Sequence, residues 1–296
     1  FKSDEVVMVL PSIAYDAPQN DGKAVQVEVD IWAHEQEARP GMAAALAGYM
    51  GIDRARLPED EKARFAARVA LFAVDSEGGK VAQARLCAGE EAEFPLPKTG
   101  QNGRSHAVFA CPKNVSATPR IPVEIVQEGK TLASGIAFYA PPTGLSVISD
   151  IDDTIKDSHV LDRDELLKNT FLREYRAVPG MAERYQALAE QGAVFHYVSA
   201  SPIQLYPALQ AFMDQAGFPR GSFHLRETTS WRTIFDDKEA SNRHKLASIE
   251  KVLTAWPQRE FLLFGDDGER DPEIYAEIRA KYPGRIKEIV IRKVRP

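Results

Sequence analysis

The 296-residue chain has only two cysteines, Cys87 and Cys111, so no more than one disulfide can form within it. Both fall in predicted strands of the first half, which leaves two readings: a bridge in an oxidising compartment, or two buried free thiols. No apolar run approaches the roughly 18 to 20 residues needed to span a bilayer, so no transmembrane segment is expected and the chain reads as soluble or peripheral. A basic excess is missing too. With 37 Lys and Arg against 43 Asp and Glu, the formal net charge is -6, which argues against nucleic acid as a partner. There is no internal repeat and no low-complexity tract. The chain opens at Phe1 rather than Met, which fits a cleaved signal peptide or a trimmed chain.

What is present is ordinary globular material, 44% hydrophobic and 27% charged, enough for one large or two moderate domains. The pattern favours two. Ala24 to Ala33 alternates apolar and polar residues with the period of a half-buried strand. RVALFAV, DSEGG and VAQARLC read as one hairpin, and IPVEIV, EGK and TLASGIAFYA as another. These strands predict a β-sandwich-like domain over residues 1–140. Between Pro40 and Ala67 the residues are helix formers, each of two segments opened by a proline, so a helical insertion is expected there.

APPTG, Ala140 to Gly144, is the expected boundary. Behind it LSVIS, AVFHYVS, SFHL, EFLLFG and RIKEIVIRKV alternate with helices near Pro179–Gln191, Ile203–Gln215, Asn242–Ala255 and Pro272–Lys281. Near-continuous apolar strands separated by amphipathic helices predict a Rossmann-like parallel sheet over residues 141–296, covered on both faces.

In such sheets, sites form at the carboxyl ends of the strands. Asp150, Asp152 and Asp153 follow LSVIS, Ser199 to Pro202 end AVFHYVSASP, and Asp266, Asp267 and Asp271 follow EFLLFG. Carboxylates so close repel one another and resist leaving water, so a cation is expected among them. Lys245 is predicted in the first turn of its helix, with its end at the same edge; Lys238, in the loop before, is the rival. Aspartates from two strand tips with a lysine and a hydroxyl suit phosphoryl transfer with Mg²⁺, one aspartate serving as nucleophile.

The motif Asp150, Asp152, Thr154, followed in order by Ser199, a helix lysine and GDDGERD, resembles the haloacid dehalogenase superfamily. SDIDDTIK, YVSASP, GDDGERDPEIY and IVIRKV are similar to the catalytic domain of actin-patch-type phosphatidate phosphatases and their bacterial relatives, and RVALFAVDSEGGK and HAVFACP to the first half of the bacterial members. The resemblance implies Mg²⁺-dependent hydrolysis of a phosphomonoester through an aspartyl phosphate. Asp150 would be nucleophile and metal ligand. Asp152 would be general acid and base, with its carbonyl on the metal; Thr154 would shape the motif. Ser199 and Lys245 would bind the phosphoryl group, and Asp266 would ligate Mg²⁺ with Asp267 and Asp271 as supporting ligands.

Other residues have plainer readings. Asp153 could cap the next turn and Ser201 the next helix. His196 reads as a packed core residue, and Arg226, Trp231 and Arg232 as a solvated face rather than a substrate clamp. The segment Ile155 to Val178, with Lys168, Arg173 and Arg176, reads as a small lid that leaves the site open to a bulky or surface-bound substrate. The expected partner is a phosphorylated substrate, with phosphatidate at a membrane surface first. A soluble phosphomonoester or phosphoprotein, or a docking module with a subsidiary phosphatase domain, are the alternatives. A bacterial chain, exported or cytoplasmic, is expected.

Overall fold

The computed structural model describes residues 1–17, 24–37, 41–87, 93–227 and 237–294. Two compact units result, Phe1–Ala38 with Val74–Pro142, and Arg39–Ala73 with Thr143–Pro296. The helical residues expected to decorate the β domain therefore belong with the second unit.

In the first unit β1 (Glu5–Leu10) and β2 (Ser12–Asp16) pair with successive halves of the long β3 (Ala24–Glu35). The rest are β4 (Gln83–Arg85), β5 (Glu93–Pro95), β6 (Arg104–Pro112), β7 (Arg120–Gln127) and β8 (Lys130–Tyr139). They form one hydrogen-bonded path, β1-β3-β2-β8-β7-β4-β5, with β6 on β3. Alternate residues make its core, Val25, Val27, Val29 and Ile31 from β3 facing the same cluster as Ile121, Val123 and Ile125 from β7. The period of two thus sends one face inward and leaves the other polar. A disulfide joins Cys87, just past β4, to Cys111 in β6, and Phe94 of β5 lies 5.0 Å from Phe109 of β6. The β4–β5 end of the path is thereby held to β6 over one core. Gly135 permits this packing, because a Cβ there would stand 2.5 Å from Val9.

One expected hairpin is absent. RVALFAV does not make a strand: α2 (Glu59–Ala70) runs through its beginning and is capped by Leu71. Phe65 and Val69 are buried one turn apart, so the run continues a helical period that mimics a strand over a short window. With α1 (Met42–Tyr49), α2 belongs to the second unit, where it packs on α3 (Arg163–Phe171). Arg68 donates to the carbonyls of Thr170 (2.9 Å) and Arg173 (2.7 Å), and Phe72 meets Phe171 edge-on at 5.6 Å. The segment read as a small lid therefore holds a helix and carries two more. Lys168 and Arg173 are both engaged with Glu165.

The second unit is a five-stranded parallel sheet. Its strands are β9 (Leu145–Ser149), β10 (Val194–Pro202), β11 (Ser222–Arg226), β12 (Glu260–Asp266) and β13 (Ile286–Arg292), in the order β11-β10-β9-β12-β13. The helices α4 (Met181–Glu190), α5 (Tyr206–Ala216), α6 (Lys238–Ala255) and α7 (Asp271–Lys281) lie between the strands in sequence. Val147, Ile148, Phe261 and Leu263 are fully buried, as strands covered on both faces require. The chain's first strand of this unit sits at the centre, and the order reverses on either side of it. That reversal opens a crevice at the carboxyl end of β9.

Candidate active site

Asp150 is the residue that follows β9, tied to the sheet by its N–H on the Phe264 carbonyl (2.9 Å). The chain then turns tightly, with the N–H groups of Ile155 (3.0 Å) and Lys156 (2.9 Å) both donating to the Ile151 carbonyl. Thr154 closes the loop by donating to Asp150 Oδ2 at 3.2 Å. Asp153 takes a positive φ of 55°, and its carboxylate accepts the N–H groups of Ser158, His159 and Val160. It caps the loop and faces away from the cluster.

Opposite Asp150, β12 ends in Asp266. Its Oδ1 accepts the N–H groups of Gly268 (2.7 Å) and Glu269 (3.2 Å), while the buried Oδ2 has no hydrogen-bond partner among the described residues. Asp271 opens α7, where a helix amino end favours a carboxylate. Gly265 makes room for it, since a Cβ there would lie 2.5 Å from Asp271 Oδ2. Carboxylate oxygens of Asp150, Asp266 and Asp271 all lie within 4.8 Å of one another, and all three residues are buried. Asp267 is not among them. Successive residues at a strand end point to opposite sides, and Asp267 instead accepts the Val294 N–H (2.7 Å) and pairs with Lys293 (3.7 Å).

Lys245 Nζ stands 2.9 Å from Asp150, 2.7 Å from Asp271 and 2.7 Å from Glu269. The expected first-turn position is corrected, because α6 begins at Lys238, where Asp237 caps it by accepting the Ala240 N–H at 2.8 Å. Lys245 is thus two turns inside the helix and buried, while Lys238 is a helical residue on the exposed first turn. Arg226 anchors that turn through Asp237 O (3.3 Å) and Ser241 Oγ (3.1 Å). Trp231 and Arg232 lie outside the described residues.

Asp152 has its own set of donors. Its Oδ1 accepts Lys156 Nζ and Ser158 Oγ, each at 2.7 Å; Oδ2 accepts Ser201 Oγ at 2.9 Å and Ser199 Oγ at 3.3 Å. Ser201 therefore faces the site instead of capping α5, and Ser199 is buried beside it, accepting the Ser201 N–H (3.0 Å). His196 is a core residue, bonded to Ser222 Oγ at 2.8 Å and held neutral by burial, which lowers it to about 3. Lys156, Ser158 and Glu269 were not expected in the site. The signal for Lys156 was its place four residues after Asp152 in a tight loop.

The two aspartates differ electrostatically. Burial raises the Asp150 carboxyl well above the ordinary range against the pull of Lys245, and Asp271, Asp266 and Glu269 raise it further. Burial, then Asp271, pushes Asp266 up to about 7. Three carboxylates, of Asp150, Asp271 and Glu269, meet the ammonium of Lys245, and that of Asp266 lies beside two of them. Burial also opposes ionisation of Asp152, but the Lys156 charge and the hydrogen bonds from Lys156, Ser158 and Ser201 hold it at about 2. Next to Asp152 is a cleft of about 230 Å³, with Val160, Leu166 and Leu205 among its apolar lining and Ser201, Lys238 and Arg270 among its polar.

Fold and site together define an α/β protein with a buried carboxylate–lysine cluster at its strand tips. Residues 145–293, half of the chain, match the family model of the phosphatidate phosphatase APP1 catalytic domain, and the chain belongs to that family. It is 35% identical over 162 residues to phosphatidate phosphatase APP1 of Saccharomyces cerevisiae, covering 53% of this chain and 27% of that protein. It is 33% identical over 155 residues to an uncharacterized protein of Schizosaccharomyces pombe, covering 51% and 25%. The chain thus spans about a quarter of the length of these curated relatives. The bacterial origin expected from the sequence is overturned here: the relatives are fungal, which points to a eukaryotic protein. A class C acid phosphatase of Bacillus anthracis with tungstate bound aligns at 13% identity and a TM-score of 0.30, over 49% of this chain and 66% of that one, a likeness too slight to argue from. The chain carries a phosphatase-family catalytic domain.

Proposed function

We propose that the second unit is a haloacid dehalogenase-like, Mg²⁺-dependent phosphomonoester hydrolase that acts on phosphatidate or a related phosphate ester through an aspartyl phosphate. The observation that carries this reading is the pairing of a buried Asp150 with Lys245 beside Asp266 and Asp271, one of whose neighbouring oxygens, Asp266 Oδ2, is buried without a partner. Buried carboxylates in excess of their cations call for a positive ion, and an all-oxygen set suits Mg²⁺. Asp150, Asp266 and Asp271 would hold it. When bound, Mg²⁺ supplies positive charge to the phosphoryl oxygens.

In this reading an Asp150 oxygen attacks phosphorus, and the bond from phosphorus to the ester oxygen breaks. Lys245 favours the ionised form of Asp150 against its burial and offsets charge on the phosphoryl group, while Ser199 turns its hydroxyl from Asp152 to the bound phosphate and Thr154 fixes the loop. Asp152, ionised in the resting site, receives the proton of a substrate bound as monoanion and passes it to the leaving alkoxide. It then takes a proton from the water that hydrolyses the acyl phosphate, which frees Asp150. The cleft beside Asp152 lies on the leaving-group side. At about 230 Å³ it is smaller than ordinary ligand pockets of about 300–1,000 Å³. That suits the phosphate-bearing headgroup of a lipid whose chains remain outside, and it equally suits a small soluble phosphomonoester.

Phosphate release is to be measured from short-chain phosphatidate beside glycerol phosphate and a phosphopeptide, with Mg²⁺ and with chelator. Release should require Mg²⁺ and be fastest from phosphatidate. Full activity in chelator would refute the metal-dependent reading, and preference for glycerol phosphate would move the substrate to the soluble class.

A further inference from the structure

The phosphatase reading assigns Lys245, but a second lysine is buried in the site. Lys245 serves Asp150; Lys156 serves Asp152 from within the same loop. Lys156 is only 2% exposed, so its ammonium cannot turn to solvent. Its Nζ donates to Asp152 Oδ1 at 2.7 Å and to Ser158 Oγ, and lies 4.9 Å from the centre of the Tyr175 ring. Its backbone is held as closely, bridging to Asp152 on one side and Ala177 on the other.

Asp152 consequently receives two donors on each edge. Lys156 and Ser158 take Oδ1; Ser201 and Ser199 take Oδ2. A carboxylate so clamped cannot rotate about its terminal bond without breaking contacts on both edges. Lys156 is the only one of these four donors that carries charge, and charge-assisted bonds are roughly twice as strong as neutral ones. We infer that Lys156 is a positioning residue, which fixes the Asp152 carboxylate in the orientation from which it exchanges a proton with the leaving oxygen and then with water. This rests on the phosphatase reading above. It follows from geometry that each motif aspartate has a buried lysine of its own, one for the group that attacks and one for the group that moves protons.

The test uses the full chain with Lys156→Met, which keeps length and bulk and removes charge and donor. Turnover is compared for an alkyl phosphate, whose leaving oxygen needs a proton, and p-nitrophenyl phosphate, whose leaving group does not. For the alkyl ester kcat should fall by about 10²-fold, in the range for an impaired acid or base, with KM and inhibition by vanadate little changed. For the nitrophenyl ester the first turnover should survive as a burst, and aspartyl phosphate should accumulate. Equal losses for both esters with a parallel loss of vanadate affinity would reduce Lys156 to a structural ion, and an unchanged kcat would dismiss it. Should Lys156→Met fail to fold, Ser158→Ala removes a neutral donor from the same edge and should give the same leaving-group dependence in milder form; its absence would overturn the inference. Failure of the phosphatase reading is distinguishable, because the wild-type chain would then form no aspartyl phosphate at all.

Discussion

The two units use similar strands but dispose of charge in opposite ways. In the β unit the long strands alternate, so that their carboxylates and cations meet at partly exposed positions, such as Arg85 with Glu93 and Glu124, around an aliphatic core. In the α/β unit both faces of the sheet are covered, and charge collects where the strands end: Asp150, Lys156, Lys245, Asp266 and Asp271 are all buried there. One unit ties its β4–β5 end to β6 with a covalent bond, whereas the other holds an electrostatic imbalance that a ligand would relieve. Stability in the first should answer to reductant, and in the second to pH and metal.

Several substitutions sharpen this contrast. The largest effect is expected from Asp150→Asn, which removes the carboxylate proposed to attack while keeping its shape. Steady-state phosphatase assays should show a loss of at least about 10⁴-fold, as for other nucleophiles. Lys245→Met should lower kcat by about 10²- to 10³-fold, the range for losing one charge-stabilising donor, whereas Lys238→Ala should leave it near wild type. A reversed ranking would place the phosphoryl-binding cation on the first turn of α6.

The pH response separates the units without mutation. Asp266 is raised from 3.8 to about 7 by burial and then by Asp271. Its folded-state affinity for protons therefore exceeds its unfolded one, so its contribution to stability is complete below about 3.8 and is lost as pH rises through about 7. In chelator, thermal unfolding of the α/β unit should shift to lower temperature between pH 6 and pH 8, and Mg²⁺ should restore most at pH 8. A metal-free α/β unit that grows more stable over that interval would contradict the assignment. The smallest effect on catalysis is expected from Cys87→Ser with Cys111→Ser. Calorimetry should find a loss of about 3 kcal/mol in the β unit, with the pH response of the α/β unit unmoved.

Much of the α/β unit was legible because its strands are continuous apolar runs and its helices alternate with them. The boundary near Pro142 and the places of Asp150, Ser199 and Asp266 at the carboxyl ends of β9, β10 and β12 follow from that pattern. What was not legible depends on side-chain direction or on a cap. DKEASNRHK carries no apolar period, so only the Asp237 cap reveals that α6 starts at Lys238. Asp266 and Asp267 are equivalent in sequence and diverge because adjacent residues leave a strand on opposite sides. Lys156 reads as a loop lysine, ordinarily solvated; the tight turn after Asp150 buries it. The helical tail of α2 was mistaken for a strand because RVALFAV is short enough to satisfy either period.

The central claim is that Asp150 is phosphorylated during turnover. Enzyme mixed with substrate and Mg²⁺, quenched rapidly in acid and digested, is examined by mass spectrometry. The account predicts one added phosphoryl group on the peptide that contains Asp150, absent in Asp150→Asn and enriched in Asp152→Ala supplied with p-nitrophenyl phosphate. A phosphoryl group on Ser199 or a histidine would contradict it, as would the absence of any covalent phosphate in wild type and Asp152→Ala alike.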